Sequence, residues 1–353
     1  MTPERSASGT SIGAERSASG TSIGAERSAS GTSISAERSA SGTSIGFELM
    51  SPPRLSRATV DREEPLRLDT GRQLAGWPKA RVLVVDDRGR SPIREANGAF
   101  AVVTRPATDY GAEPPAIATM LGEQDQVAYW AVRGAPSLVD GDDPSEWQDL
   151  RARGSDLDAT SAGLMVSAVA VLGWHDNARF CARCGSPTEP AHSGWMRVCV
   201  KCGHEEYPRT DPAVICLVHD GADRVLLARQ PVWPPGRYSV LAGFVEAGES
   251  LEACVAREIE EEVGVTVSDI RYLGSQAWPF PRSLMIGFSA VADPEQPLVP
   301  AEGEIAEAFW LTRAELRHAL NSGDWATGDG RPLLLPPPVS IARSMLDSWA
   351  ATD

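Results

Sequence analysis

Short runs of apolar and β-branched residues recur through the first globular part of the chain. Gly, Pro and Asp separate these runs, which read ARVLVVDD (80–87), AFAVVTRP (99–106) and QVAYWAVR (126–133). Runs of this length between turn-forming residues are typical of β-strands. We therefore predict a small sheet within a β-rich domain over residues 54–160, where no group of residues suggests catalysis.

Two later segments have apolar residues at helical spacing. Between residues 155 and 180 helix breakers are few, so we assign residues 161–180 to a connecting helix. His175 lies on this helix, and we expect it to pack or to hydrogen-bond rather than to bind metal. A second, amphipathic helix is predicted from Ser250 to Gly264, with an apolar face of Leu251, Cys254, Val255, Ile259 and Val263.

The beginning of the chain has a different pattern. The sequence ERSASGTSIGA recurs with a period of 11 residues, starting at Glu4, Glu15, Glu26 and Glu37. Each repeat offers one Ile among small polar residues, which is too little apolar surface for a packed helix. We predict a disordered tail over residues 1–53, with Met50 as a hypothetical alternative start.

Composition indicates a protein that does not bind polyanions over a wide surface. Among 353 residues, 48 are acidic and 33 basic, which gives a formal charge of −15. Such a charge disfavours non-specific binding to nucleic acid or to anionic membranes. The most apolar window, residues 161–174, is shorter than the roughly 18 residues of a membrane span. No secretory signal pattern opens the chain, so we expect a cytoplasmic protein without membrane contact.

Four of the six cysteines form two CxxC pairs. They are Cys181 and Cys184 in CARC, and Cys199 and Cys202 in CVKC, with 14 residues between the pairs. This spacing is typical of a tetrahedral zinc site, and four thiolates leave no position for a reacting water. We predict a zinc ribbon over residues 181–209 with one structural zinc per chain; two disulfides are the alternative.

An acidic cluster lies on the helix after Ser250. Glu258, Glu261 and Glu262 are spaced i, i+3 and i+4, so their carboxylates share one face. Crowded carboxylates repel each other unless a cation compensates them, and oxygen donors suit Mg²⁺ or Mn²⁺. The alternative is a solvated acidic face.

A longer pattern around this cluster resembles a known family. Nine positions within the 23 residues 243–265 match the signature of the Nudix hydrolases: Gly243, Glu249, Arg257, Glu258, Ile259, Glu261, Glu262, Gly264 and Val265. The resemblance implies a loop–helix–loop that holds divalent cations against a diphosphate, which water then attacks. The implied fold class is α+β, with the N-terminal β-rich domain, the zinc ribbon and a C-terminal Nudix α/β/α sandwich over residues 210–353.

The same resemblance assigns roles to individual residues. It implies Glu258 and Glu262 as the principal metal ligands and Glu261 as a further ligand, and Glu262 is also a candidate for activating water. Arg257 is the fourth catalytic residue implied. It forms an ion pair with Glu249, and this pair fixes the loop to the helix. Outside the signature, the resemblance implies two further metal ligands, Glu304, with Glu307 as an alternative, and the backbone carbonyl of Ala242.

Features outside the signature narrow the substrate. The zinc ribbon, RYSVLAGFVE (237–246) and SQAWPFPRS (275–283) together resemble the NADH pyrophosphatases. Prolines restrict the backbone around Trp278 and Phe280, so these rings are suited to stack on a flat nicotinamide or adenine ring; packing in a core or dimer interface is the alternative. The substrate-binding residues implied are Tyr207, Phe244, Gln276, Ala277, Trp278, Pro279, Phe280, Pro281, Arg282, Ser283 and Ala342.

This resemblance implies a homodimeric enzyme that hydrolyses the pyrophosphate of NAD(H) to AMP and nicotinamide mononucleotide. It also implies removal of NAD caps from RNA 5′ ends. The sequence departs from the family at Ala277, where proline is usual, and at Gly194, where an acidic residue is expected. A diphosphatase for ADP-ribose or another nucleoside diphosphate derivative is the closest alternative, ahead of a Nudix-fold isomerase or a zinc-ribbon adaptor.

Overall fold

The computed structural model describes residues 46–57, 59–96, 98–135, 143–321 and 333–352. The predicted tail lies outside these ranges up to residue 45. The helices are α1 (Glu64–Leu68), α2 (Thr70–Gly76), α3 (Leu150–Arg153), α4 (Ala159–Asn177), α5 (Leu251–Val263), α6 (Arg313–Leu320) and α7 (Ile341–Ala351). The strands are β1 (Arg81–Val85), β2 (Ser91–Ala96), β3 (Ala99–Val102), β4 (Thr104–Pro106), β5 (Thr119–Gln124), β6 (Val127–Arg133), β7 (Trp147–Gln148), β8 (Thr188–Ala191), β9 (Met196–Cys199), β10 (Glu205–Glu206), β11 (Asp211–His219), β12 (Arg224–Arg229), β13 (Leu241–Phe244), β14 (Ser268–Trp278), β15 (Ser283–Val291) and β16 (Glu307–Thr312).

The N-terminal part contains two small sheets rather than one. Strands β4, β1, β6 and β5 form the first sheet in that order, and β3, β2 and β7 form the second. The run AFAVVTRP, predicted as one strand, is divided between them as β3 and β4. The chain changes sheets at this point, because β3 pairs with β2 while β4 pairs with β1.

Helix α4 packs its apolar side on the first sheet. Leu164 and Leu172 of the helix share a buried cluster with Leu83 of β1 and Leu121 of β5. The helix begins after Asp158, whose carboxylate accepts a hydrogen bond from the Ser161 N–H (2.8 Å) and so caps the first turn. No helix within the described ranges is long and apolar enough to cross a membrane.

The cysteine-rich segment forms an antiparallel three-stranded sheet in the order β10, β9, β8. It docks on the N-terminal part through Trp195, whose indole N–H donates to the Met120 carbonyl at 2.6 Å. The guanidinium of Arg67 lies 3.9 Å from the centre of the same ring. This cation–π contact and the hydrogen bond fix the ribbon against β5 and α1.

The C-terminal sheet has the order β14, β15, β11, β12, β16, with β13 also paired to β11. The side chains of strand β11 alternate between the two faces of the sheet, and helices cover both faces. Ile215 and Leu217 pack with helices α6 and α7, whereas Val214 and Cys216 pack with α5. The sheet is therefore covered by helices on both faces, which confirms the expected α+β fold class with a C-terminal α/β/α sandwich.

Residues just before Met50 belong to this sandwich. The Phe47 side chain is only 7% exposed and packs in the cluster that contains α7, with its ring centroid 6.4 Å from that of His219. The Met50 N–H donates to Ser348 Oγ at 3.1 Å. Ordered packing thus includes residues 46–50, whereas the predicted tail extends to residue 53.

Candidate active site

Helix α5 and the loop before it form the acidic centre of the C-terminal domain. Ser250 caps the helix by accepting a hydrogen bond from the Ala253 N–H at 3.2 Å. Gly264 ends it in the left-handed conformation (φ 72°), which glycine adopts without a Cβ penalty. The predicted amphipathic helix is confirmed, and its apolar side packs on β11.

Arg257 joins this helix to the loop that follows β13. Its guanidinium donates to both carboxylate oxygens of Glu249, through Nη2 to Oε1 at 2.6 Å and through Nε to Oε2 at 3.1 Å. Nη2 also donates to the Phe244 carbonyl at 3.1 Å. The hydrogen bonds from Arg257, and one from the Glu246 backbone, lower the pKa of Glu249 to about 2. Arg257 therefore acts as a clamp between the loop and the helix.

Two glutamates on the inner side of α5 are held close to strand β13. Glu262 is 3% exposed, and its Oε2 has no hydrogen-bond partner among the described residues. Burial, followed by the charges of Glu258 and Glu304, raises the pKa of Glu262 to about 8. Burial also raises the pKa of Glu258. A Cβ at Gly243 would lie 1.9 Å from the Glu258 carboxyl carbon, so only glycine permits this approach of backbone and carboxylate.

A loop from β15 brings another acidic residue to this centre. The Val299 N–H donates to the Val263 carbonyl (2.8 Å) and the Ala301 N–H to the Glu262 carbonyl (2.9 Å), which fastens the loop to the end of α5. Through this attachment Glu304 comes near enough to raise the pKa values of both Glu258 and Glu262. Glu307, its alternative, is instead held by Tyr238 and Arg229.

The acidic centre suits a divalent cation, although its carboxylate oxygens do not lie close enough together to form a ready-made set of ligands. Among the described residues, the only group of three or more ligand atoms within 4.8 Å of one another is the cysteine cluster. Glu261 is more than half exposed and pairs with Arg257 Nη1 at 2.9 Å. Glu258 is half-buried, and its Oε1 lies 3.0 Å from Arg257 Nη1. The buried Oε2 of Glu262 has no partner among the described residues, and a hard cation would supply the positive charge that a buried carboxylate requires.

The four cysteines have the geometry of a metal site. Cys184 Sγ lies 3.5 Å from Cys199 Sγ and 3.4 Å from Cys202 Sγ, and Cys181 Sγ lies 3.7 Å from Cys202 Sγ. A tetrahedron with Zn–S bonds of about 2.3 Å has edges of about 3.8 Å, so the thiols fit zinc. None of these cysteines is in a disulfide.

His175 is a hydrogen-bonding residue, as expected from its place on the connecting helix. Its Nε2 lies 2.7 Å from the Gly194 carbonyl, and its Nδ1 lies 3.0 Å from Arg197 Nη1. Burial lowers the pKa of His175. The neutral ring therefore joins α4 to the zinc ribbon.

The segment SQAWPFPRS forms the end of β14, a tight connection and the start of β15. The rings of Trp278 and Phe280 meet edge to face with centroids 4.9 Å apart. The Arg151 guanidinium lies 4.3 Å from the centre of the Phe280 ring. Both rings are half buried against the core of the N-terminal part, so each combines packing with a remaining accessible face.

Two cavities border this segment. The first has a volume of about 510 Å³ and is lined by Glu262, Ala242 and Trp278, together with Arg151 and Trp233. The second, of about 670 Å³, is lined by Pro279, Phe280, Pro281, Arg282 and Tyr207. Within this segment, Trp278 alone lines the cavity that contains Glu262, whereas the residues from Pro279 to Arg282 line the second cavity.

Some predicted substrate residues lie away from the first cavity. Gln276 is buried. Its Oε1 accepts a hydrogen bond from the Leu55 N–H at 3.2 Å, and its Nε2 donates to the Val339 carbonyl at 3.1 Å. Ala342 lies in the core around α7, while Phe244 and Tyr207 are exposed. Arg282 pairs with Asp211 at 2.7 Å, and Ala277 and Ser283 are strand residues. For these residues substrate contact stays a prediction.

Among the residues that line the first cavity, Arg151 and Trp233 were missed by sequence reasoning. Arg151 comes from α3 in the N-terminal part, and no local sequence pattern indicates that it lines a cavity of the C-terminal domain. Trp233 does carry such a pattern, because it precedes two prolines in QPVWPPGR, as Trp278 precedes Pro279 in WPFP. Both tryptophans thus stand on stretches whose backbone proline restricts.

Comparisons with known proteins agree with this construction. Residues 209–329 match the NUDIX domain, and residues 176–207 match the NADH pyrophosphatase zinc ribbon domain. The chain is 54% identical over 309 residues to the NAD-capped RNA hydrolase NudC of Mycobacterium tuberculosis, which covers 87% of this chain and 97% of the relative. It is 42% identical over 201 residues to the mitochondrial NAD(P)H pyrophosphatase NUDT13 of Mus musculus, covering 56% and 57%. A crystal structure of a Nudix hydrolase from Nitrosomonas europaea superposes with a TM-score of 0.36 and 22% identity, over 45% of this chain and 98% of that one. Because it is 54% identical to NudC over 97% of that relative, the chain belongs to the Nudix hydrolases, in the family of the NAD-capped RNA hydrolase NudC.

Proposed function

We propose that this protein hydrolyses the pyrophosphate of NAD(H) to AMP and nicotinamide mononucleotide and removes NAD caps from RNA 5′ ends. The observation that carries the proposal is the first cavity, in which the buried carboxylate of Glu262 and the ring of Trp278 face the same space. A centre of carboxylates that binds cations would hold a diphosphate, and an aromatic ring on the cavity wall would stack on a flat base. The names of the NudC and NUDT13 relatives support the same substrates.

The proposed cofactors are Mg²⁺ or Mn²⁺ at the acidic centre and one structural zinc in the ribbon. Glu258, Glu262 and Glu304, with the Ala242 carbonyl, would hold the divalent cations, and Glu261 would join after leaving Arg257. When bound, such cations neutralise the charge that develops on the phosphate oxygens.

The chain's own residues prepare the site for this reaction. Arg257 fixes the loop that carries Glu249 and Phe244, so the backbone of β13 stays against Glu258. In the reaction, the oxygen of water bonds to one phosphorus, and the bridging oxygen leaves with the other phosphate and completes the second mononucleotide. Glu262 would receive the proton of the attacking water.

We also propose that the protein is a homodimer. A homodimer is supported by the family resemblance and by the exposure of the large side chains of Tyr207 and Phe244. A light-scattering mass of one chain would overturn it. We also propose the domain division at residues 54–160, 161–180, 181–209 and 210–353, and a cytoplasmic location.

Product analysis tests the proposed activity. NADH, NAD⁺, ADP-ribose and NAD-capped RNA would be supplied with Mg²⁺ or Mn²⁺, and products separated by chromatography. We expect AMP and nicotinamide mononucleotide from the dinucleotides, and loss of turnover in Glu262→Gln but not in Glu260→Gln, whose side chain is exposed on the same helix. Much faster turnover of ADP-ribose than of NADH would favour the ADP-ribose diphosphatase instead, and full activity of Glu262→Gln would refute the proposed site.

A further inference from the structure

A second tryptophan faces the cavity that contains Glu262. Trp233 lies in the loop between β12 and β13, and the same cavity is lined by Trp278 and by the neighbouring loop residue Gln230. A dinucleotide has two flat bases, and the cavity has two tryptophans on its walls. At about 510 Å³, its volume is within the range of small-molecule sites.

The loop that carries Trp233 is restricted along its length. Its sequence QPVWPPGR contains Pro231, Pro234 and Pro235, which fix their own φ angles and restrict the residues before them. The Trp233 N–H donates to the Gln230 carbonyl at 3.1 Å. An aromatic residue held in this way loses little conformational freedom when a ligand packs on it.

A polar network ties both ends of this loop together. Arg229, at the end of β12, donates from Nη1 to the Trp233 carbonyl at 3.1 Å and from Nη2 to Glu307 at 2.8 Å. Tyr238, beyond the loop, donates its hydroxyl to the other oxygen of Glu307. The Tyr238 backbone N–H donates to the Leu334 carbonyl at 3.0 Å.

This network gives Glu307 a role different from that of a metal ligand. Arg229 and Glu307 are cross-strand partners in the pairing of β12 with β16, so the sheet sets their distance. The hydrogen bonds from Tyr238 and Arg229 lower the pKa of Glu307, which keeps the carboxylate charged. Both of its oxygens are used in holding the loop.

From this geometry we infer that Trp233 is a specificity-determining residue that packs on the adenine ring of the substrate, with Glu307 as its positioning residue. The inference rests on the proposed function and assigns the nicotinamide ring to Trp278, which the sequence suits to either a nicotinamide or an adenine ring. The other base is then the adenine of the AMP half, and Trp233 is the second tryptophan that lines the same cavity.

Equilibrium binding of each half of the substrate tests the inference without requiring turnover. AMP and nicotinamide mononucleotide would be titrated calorimetrically into the full-length protein, its Trp233→Ala and Trp233→Phe variants, and a control, Val232→Ala, whose side chain is 83% exposed on the same loop. Loss of one aromatic stack should weaken AMP binding by about two- to tenfold. Trp233→Phe should recover part of this loss, and Val232→Ala should bind as the wild type does.

The outcomes separate this inference from the proposed function. Unchanged AMP affinity in Trp233→Ala, or an equal loss of affinity for both mononucleotides, would overturn the inference. If the wild type cleaves no dinucleotide but Trp233→Ala still binds AMP more weakly than the wild type does, the base site is retained and the proposed activity is refuted.

Glu307→Gln tests the positioning role. It should weaken AMP binding less than Trp233→Ala does, and it should leave unchanged the Mg²⁺ concentration that gives half-maximal turnover. Glu295→Gln, at a carboxylate with 83% exposure, is the matched control. Normal AMP binding together with a shifted Mg²⁺ requirement would make Glu307 a metal ligand and contradict its assignment to the loop.

Discussion

Replacing Glu262 by Gln should stabilise the protein when no divalent cation is bound, although it should abolish turnover. The carboxylate is 3% exposed, and burial together with Glu258 and Glu304 raises its pKa from 4.5 to about 8. A carboxyl group with a raised folded-state pKa costs no stability below its unfolded pKa. The cost grows as pH rises between the two values and is constant above the higher one.

The size of this effect follows from the two pKa values. At pH 7 the linkage relation gives a cost of about 3 kcal/mol for keeping Glu262 in the folded protein. Glutamine removes that cost, can still accept the hydrogen bond from the Ala242 backbone, and replaces an oxygen that has no partner among the described residues. Since a buried amide also has a desolvation cost, we expect a net gain of about 1–2 kcal/mol.

Urea unfolding in buffer without divalent cations measures the gain. The stability of the variant should exceed that of the wild type most at pH 8. The difference should vanish at about pH 3.5, below the unfolded-state pKa, because the wild-type carboxyl group is then neutral in both states. Added Mn²⁺ should stabilise the wild type more than the variant. Glu260→Gln, on the exposed side of the same helix, should show neither effect. A variant less stable than the wild type at pH 8, or a difference independent of pH, would refute the reasoning.

Three further predictions concern other parts of the chain. Phe47→Ala should lower the free energy of unfolding by about 3–5 kcal/mol because it empties a buried site, whereas the exposed Met50→Ala should change it little, and equal urea midpoints would contradict this packing. Cys181→Ser should lose zinc in elemental analysis and unfold at a lower temperature, whereas Cys216→Ser should keep one zinc per chain; zinc retained by Cys181→Ser would exclude the proposed site. Trp278→Ala should raise KM for NADH more than KM for ADP-ribose in steady-state kinetics, and equal changes would leave Trp278 with packing alone.

Local sequence patterns were sufficient for features that depend on neighbouring residues. Helix α5 follows from a Ser cap, an apolar face with helical spacing and a terminal Gly264, and all three act within a few residues of the chain. The zinc ribbon follows in the same way, because two CxxC turns bring four thiols together once a short hairpin forms. The predicted runs contain β1, β3, β4 and β6, whereas β2, β5 and β7 were not predicted. The division into two sheets was also missed, since a change of sheet between β3 and β4 has no local pattern.

Features that depend on distant parts of the chain were decided only by the tertiary structure. The sequence alone left Glu304 and Glu307 as alternative metal ligands. Only the structure shows that two backbone hydrogen bonds fasten the loop of Glu304 to α5, whereas Glu307 is held by Arg229 and Tyr238. The sequence likewise assigned SQAWPFPRS to one site, whereas the fold divides it between two cavities.

What the sequence determined by itself was the fold class, the zinc ribbon and the family with its acidic helix, because spacing along one element decides which side chains share a face. The tertiary structure decided which of those side chains are buried without a counter-charge, which aromatic rings face them, and that Phe47 belongs to the core. Burial and facing depend on which distant elements pack together, and a linear pattern does not contain that information.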